Sequence, residues 1–179
     1  MVLNLGMTRN ESVFVVAALL VIGALAFINF QTAEVKARDV QRKNDLRALR
    51  GGFNDYFKEL GSFPGTQDGK VVACGNPLGT QECIWGADPV VDPENPGKVY
   101  IKVLNVDPKA SNENYAYVYF SNTRDFQLFA HLERKEDDEY DENIERRGLS
   151  CGVKICNFGV GSSDRTPLDR DLPPWISDE

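Results

Sequence analysis

Hydrophobic and polar positions divide this chain into three regimes. From Val13 to Ile28 the sequence is apolar for sixteen residues, and Asn29 and Phe30 extend the run to eighteen. A helix rises about 1.5 Å per residue, so about 20 residues cross a bilayer and this run is a spanning candidate on the short side. From Gln31 to Leu60 there is no proline, and Leu46, Leu49, Phe53, Tyr56, Phe57 and Leu60 recur at helical spacing as one apolar stripe. The pattern predicts one long helix, apolar in its first half and amphipathic in its second. Gly51-Gly52 is its weak point, each glycine costing about 1 kcal/mol relative to alanine. "GSFPG", Gly61 to Gly65, ends it.

Beyond Gly65 the period changes. Residues 65–97 are rich in turn formers, with Pro77, Pro89, Pro93 and Pro96, and read as irregular loop. Three alternating segments follow: "KVYIKV" (Lys98 to Val103), "YAYVYF" (Tyr115 to Phe120) and "FQLFAHL" (Phe126 to Leu132). Alternation puts Tyr115, Tyr117 and Tyr119 on one face, and it puts Phe126, Leu128, Ala130 and Leu132 together. "SNTRD" between the last two segments suits a hairpin. These elements predict an α+β fold, a long N-terminal helix packed on a small antiparallel sheet. An acidic run, a short cysteine-bounded loop and a polar, proline-containing tail complete the chain.

Charge narrows the function. The 179 residues carry a net charge of −7, which argues against a general nucleic-acid-binding role. The acidity is concentrated in Glu133 to Glu145, with eight acidic and two basic residues. Asp137, Glu139 and Asp141 alternate like calcium ligands, but Glu142 stands where an EF-hand needs glycine. The run therefore reads as a solvated charged loop. Arg38, Asp39, Arg42, Lys43, Asp45 and Arg47 form a mixed-charge stretch, with Asp39 and Lys43 at the favourable i,i+4 spacing.

Four cysteines lie in two close pairs, Cys74/Cys83 and Cys151/Cys156. An even count behind a membrane segment points to disulfides in an oxidising compartment. Three connectivities are possible, and the two local pairs are favoured. Cys74/Cys83 lacks structural-zinc spacing, and the single histidine, His131, is near neither pair in sequence, which weakens a zinc reading. No Ser/His/Asp or Cys/His constellation argues for catalysis, so no catalytic residue, cofactor or metal is expected. "MVLNLG" has no basic residue and no Ala-x-Ala site follows the apolar run, so the run is expected to stay in the mature protein rather than leave as a signal peptide. Thr8-Arg9-Asn10-Glu11 has the form of a capping box, and a carboxylate in the first turn suits the helix dipole.

In this order and spacing, these segments resemble the type IV pilin and type II secretion pseudopilin superfamily. Its members carry a short leader ending in glycine, then a mature N-terminus of the form Phe-Thr-Leu-Ile-Glu, an apolar helix, an amphipathic half and a small sheet. Here Gly6 matches the last leader residue, Met7 the first mature residue, Thr8 the second and Glu11 the fifth, where the family keeps its glutamate. Downstream, "KARDVQRKNDLRAL" (Lys36 to Leu49) resembles the "ARDARRKSDL" segment of pilin-like proteins. "ELGSFP" (Glu59 to Pro64) is similar to their helix end, and "FQLFAHLE" to their "Y-x-L-x-A-x-LE" strand. Together these cover about half the chain. Met7 replaces phenylalanine, and Arg9 and Asn10 stand where the family has apolar residues.

The resemblance implies a leader over residues 1–6, a transmembrane and assembly helix over 7–30, its amphipathic continuation over 31–60 and a globular head over 61–179. It implies processing between Gly6 and Met7 by a prepilin leader peptidase, with methylation of Met7. Glu11 would serve assembly by neutralising the N-terminal amine of a neighbouring subunit. The implied partners are other pilin or pseudopilin subunits and the inner-membrane bilayer, in a type IV pilus or secretion pseudopilus, with no enzymatic activity. The flanking charges disagree with an extracytoplasmic head. Residues 31–50 hold six Lys/Arg, which the positive-inside rule would keep in the cytoplasm. The cysteine pairs, the resemblance and three interleaved acidic residues favour the outside. The alternative is a single-pass membrane protein whose extracytoplasmic binding domain never polymerises.

Overall fold

The computed structural model of the protein describes residues 9–75 and 79–173, with the backbone alone at Arg9, Asn10 and Ile28. The expected processing residues Gly6 and Met7, and the expected cap Thr8, lie outside the described residues. Helix α1 runs over Arg9–Leu60 and continues through Gly51 and Gly52. It stops where Gly61 takes φ +74° and donates its N–H to the Phe57 carbonyl at 2.8 Å. That left-handed geometry suits glycine and closes the last turn. The chain forms two compact units, residues 1–37 and 38–179. In the first, every described side chain from Glu11 to Glu34 is exposed.

In the second unit, Leu46, Leu49, Phe53 and Tyr56 are buried, with Phe57 and Leu60 packed at the edge of the same core. The apolar stripe read from spacing is thus the packed face. It meets the central sheet, in which β6 (Val118–Ser121), β7 (Phe126–Ala130) and β10 (Phe158–Gly161) lie in the order β10-β7-β6, all antiparallel. All five residues of β7 are buried. Phe126, Leu128 and Ala130 face the helix-side core with Tyr119, and Phe129 joins Val118, Ile144, Cys151 and Cys156 in a second cluster. The Phe53 ring sits 4.9 Å from Tyr119 and 5.4 Å from Phe126. The "SNTRD" segment makes the β6–β7 turn, closed by the Asn122 N–H to the Asp125 carbonyl and by the Asn122 side chain capping two N–H groups.

The head departs from expectation in three places. Residues 65–97 are not all loop: β1 (Gly65–Gln67), β2 (Lys70–Cys74) and β3 (Gln81–Glu82) form one sheet, and β4 (Val90–Val91) pairs with β5 (Val99–Ile101) in another. Asp68 and Gly69 both adopt positive φ, so "QDGK" is the two-residue hairpin turn that Asp-Gly favours. The "KVYIKV" segment therefore pairs with β4 rather than joining the central sheet, and the strand expected at Tyr115 is regular only from Val118. The sheet's third strand is β10, in a glycine-rich stretch placed beyond the expected strands. A Cβ on Gly159 would lie within 3 Å of the Phe129 ring and the Leu128 carbonyl, so the glycine admits this strand against its neighbour. Short helices α2 (Ala110–Glu113) and α3 (Glu142–Arg146) and the hairpin of β8 (Ser150–Cys151) and β9 (Lys154–Ile155) complete the unit.

The two adjacent helix glycines have opposite roles. A Cβ on Gly51 meets nothing within 4 Å, whereas one on Gly52 would collide with the Ile101 side chain. Gly51→Ala is expected to raise unfolding free energy by about 1 kcal/mol, and Gly52→Ala to lower it by about 1–3 kcal/mol, both read from urea unfolding midpoints.

Candidate functional site

Two features of α1 are candidates for function. The first is its N-terminal portion. Glu11 lies in the first turn, where a carboxylate complements the positive end of the helix dipole. Beyond it, Phe14, Leu20, Ile22, Phe27 and Phe30 are between 62% and 75% exposed. A continuous apolar surface of this extent is not stable against water, so it calls for lipid or another apolar partner. By length and composition α1 is long and apolar enough to cross a membrane.

The second feature begins at Asp39 and was missed by sequence reasoning. Asp39 and Arg42 extend the buried stripe of Leu46, Leu49, Phe53 and Tyr56 at the same three-four spacing, but with charged groups. The fully buried Arg42 guanidinium donates to both carboxylate oxygens of Asp107, from Nε at 2.7 Å and Nη2 at 3.0 Å. Its Nη1 donates to Asp39 at 2.9 Å and to Glu133 at 2.8 Å. Asp39 also accepts the backbone N–H groups of Glu133 at 2.9 Å and Arg134 at 3.2 Å. Glu133 receives two further bonds from Arg38, at 2.7 and 2.8 Å, and an ion pair from Lys109 at 3.0 Å. Arg42 and Lys109 both lie over the Tyr115 ring, adding cation–π attraction.

The acidic run corrects an expectation. It is no solvated loop: its first half is strapped onto the basic side of α1. Lys43 holds Asp137 at 2.9 Å and Glu139 at 3.3 Å, Arg134 holds Asp137 at 2.6 Å, and Arg47 pairs with Glu139. The expected Asp39/Lys43 pair does not form: Asp39 pairs with Arg42 on the same helix and with Arg134 across the fold, and Lys43 with Asp137 and Glu139. A local charge reading favours neighbours on the helix, but a buried charge is satisfied by whichever groups complete its hydrogen bonds. Among the described residues, no group of three or more metal-ligating side chains is placed to hold an ion.

The electrostatics follow from this geometry. Burial works against the Glu133 carboxylate, but donors from Arg38, Arg42 and Lys109 outweigh it and hold the group far below the usual carboxyl range. Asp137 is likewise held low, with burial opposed by Lys43 and the Glu139 N–H. His131 is half-buried, and burial pushes its imidazole down. Its Nδ1 lies 2.7 Å from the Ile155 carbonyl, so that nitrogen carries the proton. Both local cysteine pairs are disulfides. Cys74–Cys83 ties β2 to β3, and Cys151–Cys156 staples the β8–β9 hairpin. Disulfides of this kind add roughly 2–4 kcal/mol.

Arg42→Leu is expected to cost about 3–5 kcal/mol, because Asp107 would keep a buried charge without a counter-ion and Asp39 would retain only Arg134. Acid gives a second measurement. Glu133 and Asp137 have depressed pKa values when folded, so the unfolded chain binds more protons. Their stabilisation is complete above about pH 4 and is lost as pH falls below it. Urea titrations are expected to show that loss, with a shallower pH slope in the Glu133→Gln/Asp137→Asn variant; an unchanged slope refutes the assignment. Comparison with known proteins adds no relative: no protein-family profile matches the chain, and no curated protein or solved structure is detectably similar to it.

Proposed function

We propose that this chain is a pilin-like structural subunit that assembles through its N-terminal helix into a type IV pilus or secretion pseudopilus. The observation that carries the reading is helix α1 itself. It holds a carboxylate in its first turn, exposes apolar side chains as far as Phe30, and supplies from Leu46 to Tyr56 the core face of an antiparallel-sheet head. In a plain membrane anchor Glu11 would serve the helix end alone; in a filament it gains a second role. A carboxylate at the apolar end of a helix is costly alone and favourable beside a cation, and the N-terminal amine of a neighbouring subunit would be that cation. The two disulfides favour an oxidising compartment for the head. In this reading a leader peptidase cleaves after Gly6, Met7 becomes the methylated N-terminus, and the helix passes from bilayer to filament.

Intact mass of the membrane-extracted protein tests the processing step. Loss of residues 1–6 with the gain of one methyl group is expected; an intact N-terminus rules the reading out in favour of a non-polymerising membrane protein. Glu11→Ala is expected to reduce surface fibres about tenfold, the equivalent of ~1.4 kcal/mol of lost pairing. Fibres at the wild-type level would remove Glu11 from assembly.

A further inference from the structure

Part of the central sheet's face away from α1 is crossed by a strap. Residues 167–173 have no helix or strand of their own, yet they are pinned along their length. The Gln127 side chain, fully buried on β7, donates to the carbonyls of Pro167 and Arg170, the latter at 2.8 Å. Arg147 donates to the Leu168 carbonyl at 2.8 Å and to the Asp171 carboxylate at 2.6 Å, and its guanidinium lies over the Phe129 ring. Asn122, in the β6–β7 turn, donates to the Pro173 carbonyl at 2.9 Å. Three side chains thus hold five acceptors of an otherwise irregular segment, which fixes its path.

That path leads to a groove. The cavity, about 650 Å³ and partly open, has Phe120, Leu172 and Pro173 as its apolar wall and Thr66, Ser121 and Thr123 as hydroxyl-bearing neighbours. Residues 174–179, Pro-Trp-Ile-Ser-Asp-Glu, continue from Pro173 and lie outside the described residues. Trp175 stands two residues beyond a carbonyl already bonded beside the groove, a span of at most about 7 Å along the chain. Pro173 and Pro174 both have ring-fixed φ, so few directions are open to the chain and little entropy is lost in fixing Trp175. An indole also suits this surface: its rings need an apolar wall and its N–H an acceptor, which the Ser121 and Thr123 hydroxyls supply.

We propose that Trp175 of the same chain packs in this groove against Phe120 and Leu172, extending the strap over the face of the sheet away from α1. The tether decides the occupant. A side chain two residues from the groove wall arrives at an effective concentration on the order of millimolar, far above that of a second copy in solution. The contact does not depend on filament assembly.

The test uses the full chain in detergent. Trp85 and Trp175 are its two tryptophans, so Trp85→Phe leaves Trp175 as the sole indole reporter. That substitution removes a buried N–H with no acceptor among the described residues, so the head is expected to keep its fold, with both disulfides intact. In this background Trp175 is expected to emit at short wavelength and to resist acrylamide quenching. Phe120→Ala is expected to shift its emission to the red and to raise quenching to that of an exposed indole. Leu172→Asp, which alters the groove wall without touching the cluster behind Phe120, is expected to do the same. An indole held by detergent instead would be shielded but indifferent to both substitutions, and that outcome overturns the proposal. So does an indole already exposed in the Trp85→Phe chain. Shielding that is lost on dilution at constant detergent overturns it in favour of a second copy. In the otherwise wild-type chain, Trp175→Ala and Phe120→Ala together are expected to lower the urea midpoint by less than the sum of their separate effects; strict additivity overturns the contact.

Discussion

Burial of the Arg42 guanidinium is the constraint around which the head is arranged. A guanidinium removed from water is tolerated only if its donors are satisfied and its charge is balanced. Here that requires carboxylates from three separate places: Asp39 on the same helix, Asp107 before α2 and Glu133 after β7. Each of these is bound in turn, Asp39 by backbone N–H groups and Glu133 by Arg38 and Lys109. An apolar core would accept several registers of a smooth helix. This network accepts one, because sliding α1 by a turn would leave one cation and several carboxylates buried and unpaired. The hydrophobic stripe supplies adhesion, and the charged end of the same stripe sets position.

The network also bears on the charges flanking the apolar run. Of the six Lys/Arg between residues 31 and 50, Arg38, Arg42, Lys43, Arg47 and Arg50 all have carboxylate partners in the folded head. The basic belt of the linear sequence is close to neutral once folded. Most of its neutralisation comes from the acidic run, so the two most conspicuous charge features of the sequence are one structural feature in the fold.

Legibility in the sequence followed the range of the interaction. The helix stripe, its end at Gly61, the alternation in "FQLFAHL" and the local cysteine pairs all depend on neighbours a few residues apart, and each is where spacing placed it. The β1–β2 hairpin was also legible, since Asp68-Gly69 between short extended segments is a local signal, but the surrounding prolines obscured it. Strand β10 was not, because Gly159 makes sense only against Phe129 of another strand. Neither was the Arg42 site: nothing near Arg42 in sequence distinguishes it from the other cations around it, and two of its three carboxylate partners are distant. Only the continuation of the three-four spacing back to residue 39 hinted that these charges face inward. The apolar run was legible from composition, whereas Gly6, Met7 and an assembly role for Glu11 rest on resemblance.

The ion pairs that fix α1 reach forward by 65 residues to Asp107, 91 to Glu133, 94 to Asp137 and 114 to Asp164. Synthesis delivers the helix first and its counter-ions last. Until the chain has grown past residue 133, the stretch from Arg38 to Arg50 is a net basic segment beside an apolar one, with only Asp39, Asp45 and later Asp107 to offset it. Contacts between such distant residues form slowly and together. The head therefore matures as one late event, and a chain interrupted before that point keeps a cationic face that the finished protein conceals.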